Sequence, residues 1–171
     1  YPGSRQMSIK LLFSPGEGKI LGAQVVGYQG VDKCIDVLAT ALRAKMNVFD
    51  LQELELAYAP PFSSAKSPVN MLGYVASNIL RKEVEAVRWK QVEQLLAGSA
   101  VLVDVRADKE LAKSGAVAGA LHIPLDELRD RLAEIPADRE VLAYCQGGQR
   151  SYVANRILRQ KGYKVKNISG G

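Results

Sequence analysis

Cys145-Gln146-Gly147-Gly148-Gln149-Arg150 decides how the second half of this chain is read. One cysteine ends the apolar run Val141-Leu142-Ala143-Tyr144, two glycines follow, and Arg150 opens an amphipathic pattern five positions on. The pattern predicts a strand, a thiol-bearing loop and a helix. Backbone N–H groups converge on a thiol in such a unit, and a helix N-terminus favours the thiolate and binds anionic sulfur or oxygen. Free cysteine titrates near about 8.5, and a helix N-terminus or an adjacent cation lowers that by roughly one to several units. Gly147 and Gly148 free the backbone so that the N–H groups of Gln146 to Arg150 curl toward the sulfur. Arg150 keeps its charge, and its fork of donors binds loop carbonyls or an incoming anion. The chemistry this suggests is cysteine-based group transfer; the plainer alternative is a buried, inert thiol at a strand end.

Around this loop the sequence alternates. Residues 89–97 read as helix, 101–105 as a buried strand, 108–113 as a short helix and 120–123 as a short strand. Residues 125–133 read as helix, 140–145 as strand, 150–161 as helix and 165–168 as strand. Strands alternating with helices imply a parallel sheet covered on both faces, with sites beyond the carboxyl ends of its strands, where Cys145 stands. The first half reads differently. Residues 7–13 and 19–26 flank the turn Ser14-Pro15-Gly16-Glu17-Gly18 and form a hairpin. A helix follows over 31–45, apolar over so much of its girth that it needs cover on two sides: its own sheet and a partner subunit. Residues 47–56 read as a short helix with Asn47 as N-cap, and residues 69–80 as another helix. The expected fold class is α/β: an N-terminal α+β domain over 1–80 with an antiparallel sheet plus helices, a charged linker at 81–87, and an α/β domain over 88–171.

Composition is that of an ordinary globular protein: 171 residues, 47% hydrophobic and 24% charged, with net charge +5. Residues 1–86 carry nine basic and eight acidic side chains, and residues 87–171 carry fourteen and ten. The excess is mild, spread out and without aromatic interleaving, which suits small anions and argues against nucleic acid. No run is long and apolar enough to span a membrane. Cys34 and Cys145 lie far apart and form no disulfide framework, so a reducing cytoplasm is the expected compartment. The chain opens Tyr1-Pro2-Gly3 and closes Ser169-Gly170-Gly171, and we expect a fragment of something longer.

With Leu102-Val103-Asp104-Val105-Arg106 and Gly119-Ala120-Leu121-His122-Ile123-Pro124 upstream, the cysteine loop resembles the rhodanese (sulfurtransferase) domain over residues 88–171. The resemblance implies that Cys145 takes sulfane sulfur and carries it as a persulfide. The loop of Gln146, Gly147, Gly148, Gln149 and Ser151 would hold that persulfide, and Arg150 would brace the loop. Asp104 and Arg106 match the family's Asp-x-Arg position, which supports the loop from a neighbouring strand. Phosphatase relatives of the same fold use a loop one residue longer; here the sixth position after Cys145 is Ser151, so sulfur is favoured over phosphate. His122, the only histidine, has no carboxylate or cysteine near it in sequence to complete a triad or a metal set, and no metal site is expected. Cys34 sits at core spacing on its helix.

Residues 1–80 contain no Gly-rich dinucleotide fingerprint and no evident nucleophile. Their unusual stretch is Tyr58-Ala59-Pro60-Pro61-Phe62-Ser63-Ser64-Ala65-Lys66-Ser67-Pro68, where two prolines fix an extended path. This stretch resembles the C-terminal dimerisation domain of coenzyme A disulfide reductases and related NADH oxidases, which are flavin-dependent pyridine nucleotide–disulfide reductases. The resemblance implies a homodimer through residues 1–80. It makes Tyr58 the match for a tyrosine that assists thiolate chemistry on coenzyme A, with Tyr1 near a second functional tyrosine. FAD, NAD(P)H and coenzyme A are then implied for the parent enzyme and none for this chain alone. The domain order resembles fused coenzyme A disulfide reductase–rhodanese proteins. Donors would be thiosulfate, a persulfide or polysulfide, and the acceptor a CoA-type thiol. The alternative is a non-catalytic dimerisation and docking module with a regulatory rhodanese-like domain.

Overall fold

A computed structural model describes residues 5–60 and 63–170. The chain divides into two compact units, Tyr1–Arg81 and Lys82–Gly171.

In the first unit, β1 (Met7–Phe13) and β2 (Ile20–Gly27) form an antiparallel hairpin whose register slips between Leu12 and Phe13. Alternate residues of β1 turn inward, and Met7, Ile9 and Leu11 pack into a core that includes the buried face of α1 (Val31–Arg43). Cys34, Leu38 and Ala41 form the buried face of that helix, at the spacing an amphipathic helix requires. Its other apolar stripe is only partly covered, and Leu42 stays 40% exposed. Asn47 caps α2 (Val48–Glu53) by accepting from the N–H groups of Phe49 and Asp50, while the Asp50 carboxylate accepts from the Asn47 N–H. Ser67 caps α3 (Pro68–Leu80) in the same reciprocal way with Asn70, and Pro68 takes the first helical position. Asn70 is buried, and its amide donates to the carbonyls of Leu51 and Leu54 at 3.0 and 2.9 Å, which ties the end of α2 to the start of α3.

In the second unit, five parallel strands lie in the order β3 (Glu85–Val87), β7 (Val165–Ile168), β6 (Val141–Tyr144), β4 (Val101–Asp104), β5 (Leu121–His122). The helices are α4 (Trp89–Ala97), α5 (Asp108–Ser114) and α6 (Gln149–Gln160). Every residue of β6 is buried, as expected of a central parallel strand covered on both faces. Val141, Ala143 and Cys145 join one core with Ala154, Ile157 and Leu158 of α6; Leu142 and Tyr144 join the opposite core with Val92 of α4. Strand alternation thus assigns Cys145 to the α6 side of the sheet.

The architecture is that expected, with two local differences. Residues 125–133 are not an α-helix. They form successive turns ending in a short 3₁₀ segment, Leu132–Glu134, with i→i+3 bonds such as Leu128 N–H to Leu125 and Ile135 N–H to Leu132. The tighter i→i+3 turns place both Leu128 and Ile135 in the core. Residues 85–87, read as linker, add to the sheet edge as β3 beside β7. Only Val87 of the three is buried, so the stretch carries no alternating signature. Among the described residues, no helix is long and apolar enough to cross a membrane.

Candidate functional site

The sheet reverses its winding between β4 and β6: from β4 the chain moves out to β5, then returns past it to form β6. A crevice opens at the carboxyl ends of strands that diverge in this way. Asp104 ends β4, Tyr144 pairs with it across the ladder, and Cys145 follows.

The Cys145 side chain sits in a cradle built by the turn into α6. The Gly148 N–H donates to Sγ at 3.1 Å, and Ser151 Oγ lies 3.5 Å from Sγ and 3.1 Å from the Gly148 carbonyl oxygen, with one proton to give to either. Gly148 adopts φ 91°, a left-handed conformation that turns its N–H back toward the sulfur. Burial pushes the thiol's pKa up, since Cys145 is only 3% exposed. Hydrogen bonds from Ser151 and from the N–H groups of Ser151, Gly147 and Gly148 outweigh that penalty, and the net shift is downward. Cys34 is the contrast: burial alone raises its pKa, and it sits in the core of the first unit. Gln146, Gly147 and Gln149 are exposed around the cradle, and Ser151 is fully buried beneath it.

Asp104 is wholly buried and carries a bidentate pair with Arg106: Nε lies 3.0 Å from each carboxylate oxygen and Nη2 2.6 Å from Oδ2. The Tyr144 hydroxyl also donates to Asp104 at 2.6 Å. Burial raises the carboxyl pKa, but the bonds from Arg106 and Tyr144 reverse it, and Asp104 titrates below its ordinary range. Arg106 reaches further, to Ser114 Oγ at 3.0 Å and the Gly115 carbonyl at 2.9 Å, and so fixes the end of α5. His122 Nε2 is 2.8 Å from the Arg106 carbonyl, and its Nδ1 is 3.7 Å from Asp108.

Sequence reasoning missed Glu110. This α5 residue is gripped by both Nη atoms of Arg150, at 2.7 Å through Nη2 and by a second bond through Nη1. It also accepts from the Ala107 N–H, closing the first turn of α5. Arg150 foremost holds the Glu110 pKa down to about 2. The pairing spans forty positions, and one glutamate in the charged stretch Asp108-Lys109-Glu110 carries no local mark of it.

In the first unit, Tyr58 is 54% exposed on the irregular segment between α2 and α3. Ala57 beside it accepts from Lys33 Nζ and Ser63 Oγ, each at 3.4 Å, and Lys66 Nζ donates to the Tyr74 hydroxyl at 2.8 Å. Tyr1 lies outside the described residues. Among the described residues, no three His, Cys, Asp or Glu side chains gather as metal ligands. No strand-to-helix turn there carries a Gly-rich dinucleotide fingerprint.

Residues 88–171 match the rhodanese-like domain, and residues 1–68 match the dimerisation domain of pyridine nucleotide-disulphide oxidoreductases. The chain therefore joins a disulphide-oxidoreductase dimerisation domain to a rhodanese domain. It is similar along its whole length to the reduced CoADR-RHD of Bacillus anthracis, with 53% identity and a TM-score of 0.94, covering 30% of that chain. It is likewise similar to a NAD-dependent persulfide reductase from A. fulgidus, with 39% identity and a TM-score of 0.85, again over 100% of this chain and 30% of the other. Among curated proteins, the coenzyme A disulfide reductase of Staphylococcus haemolyticus is 42% identical over 79 residues, covering 46% of this chain and 18% of that protein. The chain thus spans less than a third of the length of each of these relatives.

Proposed function

We propose that Cys145 carries sulfane sulfur as a persulfide, within a larger FAD-dependent reductase of coenzyme A disulfides, coenzyme A persulfides or polysulfides. The observation that carries this reading is the Cys145 cradle: a thiol with lowered pKa, bonded by the Gly148 N–H and Ser151 at a helix N-terminus. The Cys145 thiolate attacks the sulfane sulfur of a donor, a new S–S bond forms, and the donor's own S–S bond breaks. Thiosulfate leaves as sulfite, and an organic persulfide leaves as its thiolate. An acceptor thiolate of the coenzyme A type then takes the outer sulfur and returns Cys145 to its thiolate, with no net oxidation. In this reading the N–H groups of Gln146, Gly147, Gly148, Gln149 and Ser151 hold the outer sulfur, and Arg150 stands at the rim. Asp104 and Arg106 support the loop by fixing Tyr144 and the end of α5. Tyr58, and Tyr1 with it, would assist thiolate chemistry on coenzyme A, while FAD and NAD(P)H would be bound by other parts of the parent. Residues 1–80 would form the homodimer, 88–171 the sulfur-carrying domain, and the reducing cytoplasm would keep the thiol free.

Incubated with thiosulfate and desalted, the chain should gain the mass of one sulfur atom on the peptide bearing Cys145. A thiol should remove it, and Cys145→Ser should never acquire it. A second reading draws on the 3% exposure of Cys145: a docking module with a regulatory rhodanese-like domain. It requires that no adduct form and that Cys145→Ser leave the parent's persulfide reduction unchanged.

A further inference from the structure

Arg150 is the one side chain in the first turn of α6 that brings a full positive charge to the cysteine loop, and both of its terminal nitrogens are committed to Glu110. Glu110 foremost, and the Cys145 sulfur to a lesser degree, hold the guanidinium pKa above its ordinary value. Carboxylate and thiolate thus compete for a single cation. The charged groups nearest in the strand ends and on α5 have partners of their own. Asp104 and Arg106 neutralise each other at the end of β4, and Asp108 on α5 lies 3.7 Å from His122 Nδ1; the Lys166–Glu140 pair sits at the other end of β6. On α5, Lys109 and Lys113 are exposed.

We propose that Glu110 is a positioning residue that holds Arg150 at the rim of the cysteine loop and offsets its charge, so that the cradle prefers singly charged sulfane donors to dianions. With Glu110 ionised, the thiolate, guanidinium and carboxylate together carry one negative charge. A dianion such as thiosulfate meets that charge with twice the repulsion felt by a singly charged persulfide. The backbone N–H groups of the cradle still bind one anionic sulfur, because they are dipoles and do not depend on Arg150. The proposal rests on Cys145 being the sulfur carrier, and it names the class of donor that the carrier accepts.

Two measurements on the full chain separate the claims. The first is the pH profile of Cys145 alkylation, followed by mass on its own peptide so that Cys34 does not contribute; it involves no sulfur transfer. Glu110→Gln keeps an acceptor for the Ala107 N–H but removes the charge. It should lower the apparent Cys145 pKa by roughly half a unit. The second is the ratio of loading rates with thiosulfate and with mercaptoethanol persulfide, which should shift toward thiosulfate by roughly threefold. Glu110→Asp, which keeps the charge on a shorter arm, should move both readouts the same way by less, and it serves if Glu110→Gln fails to fold. A purely structural Glu110 predicts an alkylation profile that stays or rises and equal loss with both donors. Either result overturns the proposal, as does a lowered pKa without a change in donor ratio. Absence of loading from both donors in the unaltered chain overturns instead the sulfur-carrier reading, while the alkylation profile still reports on Glu110.

Discussion

Asp104 shows how one buried carboxylate can organise a site it does not face. Its oxygens take the backbone N–H and guanidinium of Arg106 and the hydroxyl of Tyr144, and Arg106 passes the connection on to Ser114 and Gly115. Removing one member of a buried pair leaves the other charge without its partner, which costs about 3 kcal/mol or more. Asp104→Asn should therefore destabilise the second unit by about 3 kcal/mol in urea unfolding at neutral pH. The sign of the pH dependence follows from a folded-state pKa below the ordinary value of 3.8. Ionised Asp104 stabilises the fold fully above that value, and the contribution is lost as pH falls through the lower folded value. The gap between the native chain and Asp104→Asn should narrow on acidification below the ordinary carboxylate range; a gap that stays constant would remove Asp104 from this role. The cysteine, its glycines and Arg150 were legible in sequence because their geometry is local, a turn feeding a helix. Glu110 was not, because the contact that gives it meaning forms only when the sheet brings α5 beside α6.

Elements were read well where periodicity and caps agree. Asn47 and the apolar spacing located α2, and the unbroken run 141–144 marked a strand buried on both faces. They were misread where tertiary packing overrides a local pattern: the turns of 125–133 follow the burial of Leu128 and Ile135, while β3 is recruited by the exposed edge of β7. Close packing of α2 on α3 was equally invisible in sequence. It depends on Gly73, where an added Cβ would lie 2.8 Å from the Gln52 nitrogen and 2.9 Å from the Val48 oxygen. Both are backbone atoms and cannot swing aside, so the helices must separate to admit a methyl group. Gly73→Ala should destabilise the first unit by about 2 kcal/mol despite the better helix propensity of alanine. Urea unfolding of the variant tests this, and unchanged or increased stability would show that α2 and α3 tolerate a wider spacing.

Exposed apolar surface is unevenly shared between the two units. Among the described residues, Leu12, Leu21, Val26, Tyr28, Leu42, Tyr58, Met71, Val75 and Ile79 stand open in the first unit, against Trp89, Val117 and Val153 in the second. Isolated apolar side chains on a surface need no explanation, but Met71, Val75 and Ile79 recur every fourth residue and form one stripe along α3, each more than 40% exposed. Residues 1–68 match a dimerisation domain and α3 begins where they end, in the same compact unit, which offers a reason for such a stripe: in a two-fold interface the same patch meets itself. A charge at its middle would then meet its own copy and be stripped of water at the same time. On the reading that residues 1–80 form a homodimer through α3, Val75→Glu should weaken self-association by about 2 kcal/mol, roughly thirtyfold in Kd. Sedimentation equilibrium measures this directly, with circular dichroism to confirm that α3 stays folded. A variant that associates as tightly as the unaltered chain would move the interface off α3, and an unaltered chain that sediments as a monomer would mean that residues 1–80 do not dimerise by themselves.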